Sequence, residues 1–182
     1  LDMPEKTAVC ILADKEEIGS VGISGMQSHY FEHFMEGLCD AQGVKLSDCF
    51  ANSFCLSADV SNAFDPNWPE TCDKRNNSLL NYGVAICKYT GSRGKGGASD
   101  ASAEAMGHVR SMLDKAGVIW QIATLGKVDQ GGGGTVAAYM ANRNIVTVDA
   151  GVPVLSMHAP LELVSKLDCY ETMLACKAIY LA

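Results

Sequence analysis

Four side chains in three separate stretches of this sequence are of the types, and in the settings, that could activate a water molecule. Glu16 and Glu17 close the polar cluster Asp14-Lys15-Glu16-Glu17, which follows an apolar run over residues 7–13. Adjacent residues of an extended or looping segment point in different directions, so one carboxylate can bind a metal while its neighbour holds a water. A solvated pair at a strand end has the same appearance. Asp59 follows Phe54-Cys55-Leu56-Ser57-Ala58, where a carboxylate is costly unless it is paired, metal-bound or used as a cap. His158 follows the apolar run 152–157. Neutral imidazole is the usual nitrogen donor to zinc, and a hydrogen-bonded core histidine is the plainer alternative.

Other motifs are less productive. His29 and His33 form an HxxxH pair, but the zincin arrangement HExxH places its glutamate elsewhere than Glu32, and both histidines flank the Tyr30/Phe34 stripe on its polar side. His108 likewise lies off the apolar face of its helix. Gly94-Lys95-Gly96 lacks both ends of a Walker motif, with Tyr89 at the first glycine position and Gly96 at the Ser/Thr position. Gly131–Gly134 gives no GxGxxG, because Val136 takes the last place. A nucleotide-binding reading is therefore weak. The four glycines instead describe a loop whose backbone can approach a ligand closely, leading through Thr135 into a short helix. Its N–H groups could hold a peptide carbonyl or carboxylate.

The elements that must position these residues follow an α/β pattern. Strands are expected over 7–13, 54–60, 84–89, 120–125 and 145–148, and helices over 26–38 and around 105–116, with Gly117 as a stop. A C-terminal helix is expected to open at Asp168 as N-cap with Glu171 in capping-box position, turning Tyr170, Met173, Leu174 and Leu181 inward. Polar or glycine-rich connections fill 61–81, 91–99 and 129–134. Acidic residues at strand ends, with His158 beyond another run, would meet at one rim of an open sheet, where ligands collect. That grouping suits a hydrolytic metal site.

Composition narrows the partners. The chain has 182 residues, enough for one domain with a real core, and 14 basic against 21 acidic residues give a net charge of −7. That balance argues against nucleic acid or an anionic membrane as partner. Hydrophobic residues at 48% exclude a disordered chain, and no apolar run reaches the length of a membrane helix. The eight cysteines show no CxxC pair and, with neighbours such as Val9 and Ile11 around Cys10, read as buried, reduced thiols of a cytoplasmic protein. No signal peptide opens the sequence. A first residue that is leucine suggests a piece of something longer.

Taken together, the motifs resemble one family. Ala13-Asp14-Lys15-Glu16-Glu17-Ile18-Gly19-Ser20 is similar to the D-x-E-E-[VI]-G-S stretch of dinuclear-zinc aminopeptidases of the aspartyl aminopeptidase type, and most similar to the clostridial aminopeptidase I branch. Ser57-Ala58-Asp59-Val60 with Pro66-Asn67, Asp129 with Gly133-Gly134-Thr135, and Met157-His158 resemble three further family segments, in order over the whole chain. The resemblance implies a three-layer α/β/α domain with a central twisted mixed sheet, and an aminopeptidase that uses two divalent ions, zinc or alternatively cobalt or manganese. It implies Glu16 as general base, Glu17 and His158 as ligands of one metal and Asp59 of the other. Lys88, Asp129, Gly133, Gly134 and Thr135 are implied as substrate-binding residues, with Arg93 and Lys95 as rivals to Lys88.

Two departures qualify it. The family's further histidine and bridging aspartate lie upstream of the Glu-Glu stretch, and Asp2 is in no matching context. The dimerisation insert is upstream as well. Residues 1–182 are thus expected to be a partial catalytic domain, incomplete at its N-terminal side and inactive alone, from a homo-oligomeric peptidase acting on peptides. Asn62 and Asp65 also stand where aspartyl aminopeptidases often carry histidine, which weakens the case for acidic N-terminal residues. The alternative function is a metal-free scaffold or self-association module.

Overall fold

The computed structural model describes residues 4–182, so Asp2 lies outside the described residues. A mixed sheet runs in the order β1 (Phe54–Asn62), β6 (Val146–Leu155), β2 (Val84–Cys87), β5 (Trp120–Ala123), and the two-residue β7 (Leu163–Val164) also pairs with β6. β1 and β6 are parallel over nine residue pairs, from Phe54 opposite Val146 to Asn62 opposite Val154. β2 is antiparallel to β6 and parallel to β5. The sheet is flanked by helices on both faces, the expected α/β arrangement. α3 (Ala103–Ala116) and α5 (Lys166–Tyr180) cover one face, where Val109 and Leu113 pack with Val84, Ile86, Val148 and Ala150. α1 (Tyr30–Gln42), α2 (Leu46–Ala51) and α4 (Ala137–Ala141) cover the other around Phe31, Met35, Phe50 and Met140. Alternation along β1 serves both cores: Phe54 and Leu56 face the first, Cys55 the second.

Capping explains the helix limits. Ser102 accepts the N–H of Ala105 at 3.1 Å to start α3, and Gly117 ends it in the left-handed region at φ 68°, the stop expected from the sequence. α5 differs from expectation. Its N-cap is Ser165, and Asp168 sits fully buried inside the helix, accepting the amides of Asn81 and Gly83 at 2.8 Å each. Glu171 accepts the Ile119 N–H at 2.8 Å instead of closing a capping box. Because Asp168 takes a core position to satisfy those loop amides, the helix is rotated. Ala175 is buried, while Tyr170, Met173 and Leu181 stay exposed.

Four other strand and helix expectations shift. Residues 7–13 join no sheet, and Leu12 is 92% exposed. The apolar run lacks a ladder partner among the described residues, and with it Cys10 is exposed, as is Cys169 on the outer side of α5. Only Cys39, Cys72 and Cys87 are fully buried. The first helix begins at Tyr30, four residues later than expected, because residues 20–29 form turns. The run 84–89 breaks at Lys88, and the supposed connection 91–99 is a hairpin of β3 (Tyr89–Ser92) and β4 (Gly96–Asp100). Its turn has Arg93 at φ 52° and Gly94 at φ 73° with Lys95 N–H bonded to Ser92 O, the two left-handed residues of a type I′ turn. The runs 145–148 and 152–157 belong largely to one ten-residue strand, β6. No helix among the described residues is long and apolar enough to cross a membrane.

Candidate active site

Glu16, Glu17 and Ile18 form a single 3-10 turn set between left-handed residues, Lys15 at φ 60° before it and Gly19 at φ 94° and Ser20 at φ 57° after it. Such backbone is held by its surroundings. Ser20 is buried, its N–H donates to Lys15 O at 2.7 Å, and its carbonyl accepts the Gln27 N–H. Gln27 Nε2 donates to Gly19 O at 2.6 Å, and the Tyr139 hydroxyl from α4 donates to the same carbonyl at 3.3 Å. Gly25 permits this packing: a Cβ there would stand 2.2 Å from Ser20 O. The turn is thereby aimed at the end of the sheet, where β1 brings Asp59 and the turn after β6 brings His158.

His158 is itself left-handed at φ 67°, its N–H bound by the Glu162 carboxylate. Its Nε2 lies 3.1 Å from Glu17 Oε2, a contact whose partners are both largely exposed. Asp59 is half-buried and accepts its own neighbour's amide, Val60 N, at 2.7 Å. Across the ladder from it is Gly151, where a Cβ would fall 1.5 Å from Asp59 O. No side chain fits there. Glu16 is partly buried, and burial, with Asp59 and Glu17 adding repulsion and His158 opposing it, raises its carboxyl above the usual range.

These residues line one open cavity of about 570 Å³, whose walls also include Thr135, Tyr139 and the glycine loop 131–134. The loop is a fixed edge rather than a slack connector. The amides of Gly91 on β3 and Arg93 in the turn after it donate to Gly133 O and Gly131 O at 2.9 and 2.8 Å. A Cβ on Gly132 would meet Gly91 O, and one on Gly134 would meet Gly97 O, each at 2.7 Å, so close backbone packing requires those two glycines. At Gly133 a Cβ would stand 3.7 Å from Leu125, an ordinary contact. Lys88 and Asp129 lie outside this cavity. The Lys88 ammonium pairs with Asp100, and Asp129 is an exposed loop residue at φ 63° beside Gly94.

Sequence reasoning missed Asp149. It sits in the middle of β6, opposite Ser57 in the ladder, and is only 5% exposed. Burial pushes its carboxyl up to about 6, outweighing the hydroxyls that donate to it. Its setting inside a continuous apolar strand, Val146-Thr147-Val148-Asp149-Ala150, carried the available signal: an ionisable group where a β-branched residue would pack. His29 pairs with Glu32 at 2.6 Å on the surface, and His108 packs its ring edge-on to Phe54, so neither joins the site.

Glu17 and His158 offer a carboxylate oxygen and an imidazole nitrogen to one point, the donor types zinc takes. Among the described residues no group of three or more His, Cys, Asp or Glu is placed to hold one ion. The donors fit a divalent cation in type and form only part of a ligand set, since catalytic zinc sites use three protein ligands.

A mixed sheet that brings a raised glutamate, an aspartate and a carboxylate–imidazole pair to one rim makes an α/β domain with metal-compatible donors at its edge. Sequence comparison identifies the group: the chain belongs to the aminopeptidase I zinc metalloprotease family (M18), whose model matches residues 1–180. It is 51% identical over 172 residues to a probable M18 family aminopeptidase 1 of Clostridium acetobutylicum, covering 92% of this chain and 37% of that protein. The crystal structure of an M18-family aminopeptidase from Thermotoga maritima superposes with a TM-score of 0.87 at 43% identity, over 92% of this chain and 38% of that one. The mApe1 dodecamer of Saccharomyces cerevisiae matches at TM-score 0.75 and 26% identity, over 92% of this chain and 36% of the other. The chain thus spans well under half the length of these relatives.

Proposed function

We propose that this chain is the part of a metal-dependent aminopeptidase that holds the general base and three of the metal ligands, and that the whole protein releases N-terminal residues from peptides. The observation behind it is convergence: Glu16, Glu17, Asp59 and His158 are separated by up to 142 positions (158 − 16) and line one cavity. Glu17 and His158 would hold one ion and Asp59 a second, zinc being the family's metal. When bound, such ions acidify water and polarise a carbonyl. Glu16 then takes a proton from water at its partly buried carboxylate and passes it to the leaving amine. A carboxyl raised above the usual range by burial holds a proton more readily, which suits its taking one from water and passing it on. The amides of Gly133 and Gly134 have no acceptor among the described residues and border the cavity, so they are free to bind a peptide carbonyl.

The homo-oligomer expected from the sequence is supported by the dodecameric neighbour, and belongs to the whole protein. Without further ligands this chain alone is expected to have little or no activity. The test is amino-acid release from a neutral dipeptide by the full-length protein with added zinc, against its Glu16→Gln variant. Loss of about 10²–10⁴-fold is expected from removing a general base, and unchanged turnover would sink the assignment.

A self-association reading has one observation behind it. Ile11, Leu12, Ile18, Val21 and Ile23 are exposed around the Glu-Glu turn. Association through that surface would survive replacement of Glu17, Asp59 and His158, whereas peptide hydrolysis would not.

A further inference from the structure

We infer that Asp149 is a positioning residue, the buried anchor that fixes the glycine loop and its hairpin clamp relative to Asp59. The inference rests on reading that loop as the substrate-facing edge. Asp149 Oδ2 accepts the Thr135 hydroxyl at 2.8 Å and the Thr90 hydroxyl at 3.4 Å. Thr135 ends the glycine loop, is itself buried, and accepts the Ala137 N–H at the start of α4. Thr90 precedes Gly91, whose amide holds Gly133 O. One carboxylate oxygen therefore ties down both the loop and the strand that clamps it. β6 itself, two residues beyond Asp149, places Gly151 against Asp59. Loop, clamp and Asp59 are all referenced to β6.

The composition of the position supports a purpose beyond packing. Val148 and Ala150 on either side are core residues, and an aliphatic residue at 149 would continue the strand. It would also leave two buried hydroxyls without an acceptor. Asp149 accepts both through Oδ2, while its buried Oδ1 and the Ser57 hydroxyl opposite it in the ladder have no hydrogen-bond partner, and the residue borders a small cavity shared with Asp59, Ser61 and Cys87. No salt bridge offsets its burial among the described residues. A half-satisfied buried carboxylate is unfavourable for stability alone.

The test is amide hydrogen exchange on the full-length protein, followed at the segment containing Gly91 and Arg93 and at β1 as reference. Thr135→Val is expected to speed exchange in the first segment by about tenfold or more, the lower end of the scale for one lost hydrogen bond to a charged group, and to leave β1 unchanged. Thr135→Ser, which keeps the hydroxyl, is expected to retain wild-type rates. Asp149→Ala, which also releases Thr90, should speed exchange at least as much as Thr135→Val, and adding Thr135→Val to it should add nothing. Should Asp149→Ala fail to fold, the two Thr135 variants decide. Unchanged exchange in Thr135→Val, failure of Thr135→Ser to restore it, or acceleration spread equally over β1 would overturn the anchor. An inactive full-length protein with the expected exchange pattern would overturn the proposed function and leave the anchor standing.

Discussion

The Glu16–Ser20 turn and the centre of β6 both hold carboxylates near Asp59 by opposite means, the turn at the open cavity and Asp149 at the small buried one beside it. In the turn the backbone carries the constraint: left-handed residues on both sides, a buried Ser20 and two donors on Gly19 O. The side chain of Glu17 is consequently left largely in water. In β6 the backbone is ordinary strand, and the constraint is carried by the side chain of Asp149, stripped of water and held by hydroxyls. The first device spends conformational strain to aim groups that must meet ligands; the second spends desolvation to fix groups that must not move. The two regions should therefore respond differently to substitution, most of all in stability.

The largest effect is expected in the strand. Gly151→Ala would place a methyl 1.5 Å from Asp59 O, so β1 and β6 must separate within their nine-pair ladder. A loss of about 4 kcal/mol or more, or an insoluble product, is expected, read by urea unfolding. Gly133→Ala is the control at the cavity edge, with no close contact to relieve, and should change stability by less than about 0.5 kcal/mol. Equal losses at both positions would erase the distinction between strand and loop.

The next effect depends on pH. Asp149 titrates near 6 when folded, and an unfolded aspartate near 3.9. Between those values the folded chain keeps a proton that the unfolded chain has lost, so stability falls as pH rises through the window. Below about pH 3 both states are protonated and the penalty is absent; by about pH 7 it is nearly complete, at about 3 kcal/mol for a shift of about two pH units. Asp149→Asn does not titrate. In chelator, the stability of the native protein relative to this variant should therefore drop by roughly that amount between about pH 3 and pH 7. A flat difference would mean that Asp149 is solvated.

The two devices were also unequally legible. The turn carries its chemistry in consecutive letters, so Glu16 and Glu17 stand out even though their supports, Gln27 and Tyr139, do not: those hydrogen bonds come from residues far along the chain or off any motif. The sheet was readable from apolar runs because β1, β2 and β5 are buried on at least part of their length. The same rule failed at residues 7–13, since an apolar run becomes a strand only where another strand supplies its hydrogen bonds. It failed again at Asp149. An acidic residue inside an apolar run reads as a break between two strands, whereas a buried carboxylate supplied with hydroxyl donors lets one strand continue. The Arg93-Gly94 turn was the reverse case, a local signal hidden by a search for phosphate motifs.

The smallest effect on stability, and the sharpest contrast with Asp149, is expected at Glu17. Its contact with His158 is 3.1 Å long but joins side chains that are 73% and 68% exposed, and such pairs contribute about 0–1 kcal/mol. Glu17→Gln should thus leave the unfolding midpoint nearly unchanged. The pair nevertheless brings together the only carboxylate–imidazole donors at the cavity among the described residues. In a calorimetric zinc titration of this chain, binding of at most one weakly held ion is expected, and either Glu17→Gln or His158→Ala should weaken or abolish it. A stability loss above about 1 kcal/mol would place the pair in the fold rather than the site. Two tightly bound ions would require ligands beyond Glu17, Asp59 and His158. Unaltered binding in both variants would move the metal away from the turn, and with it the reason for holding Glu17 in water at all.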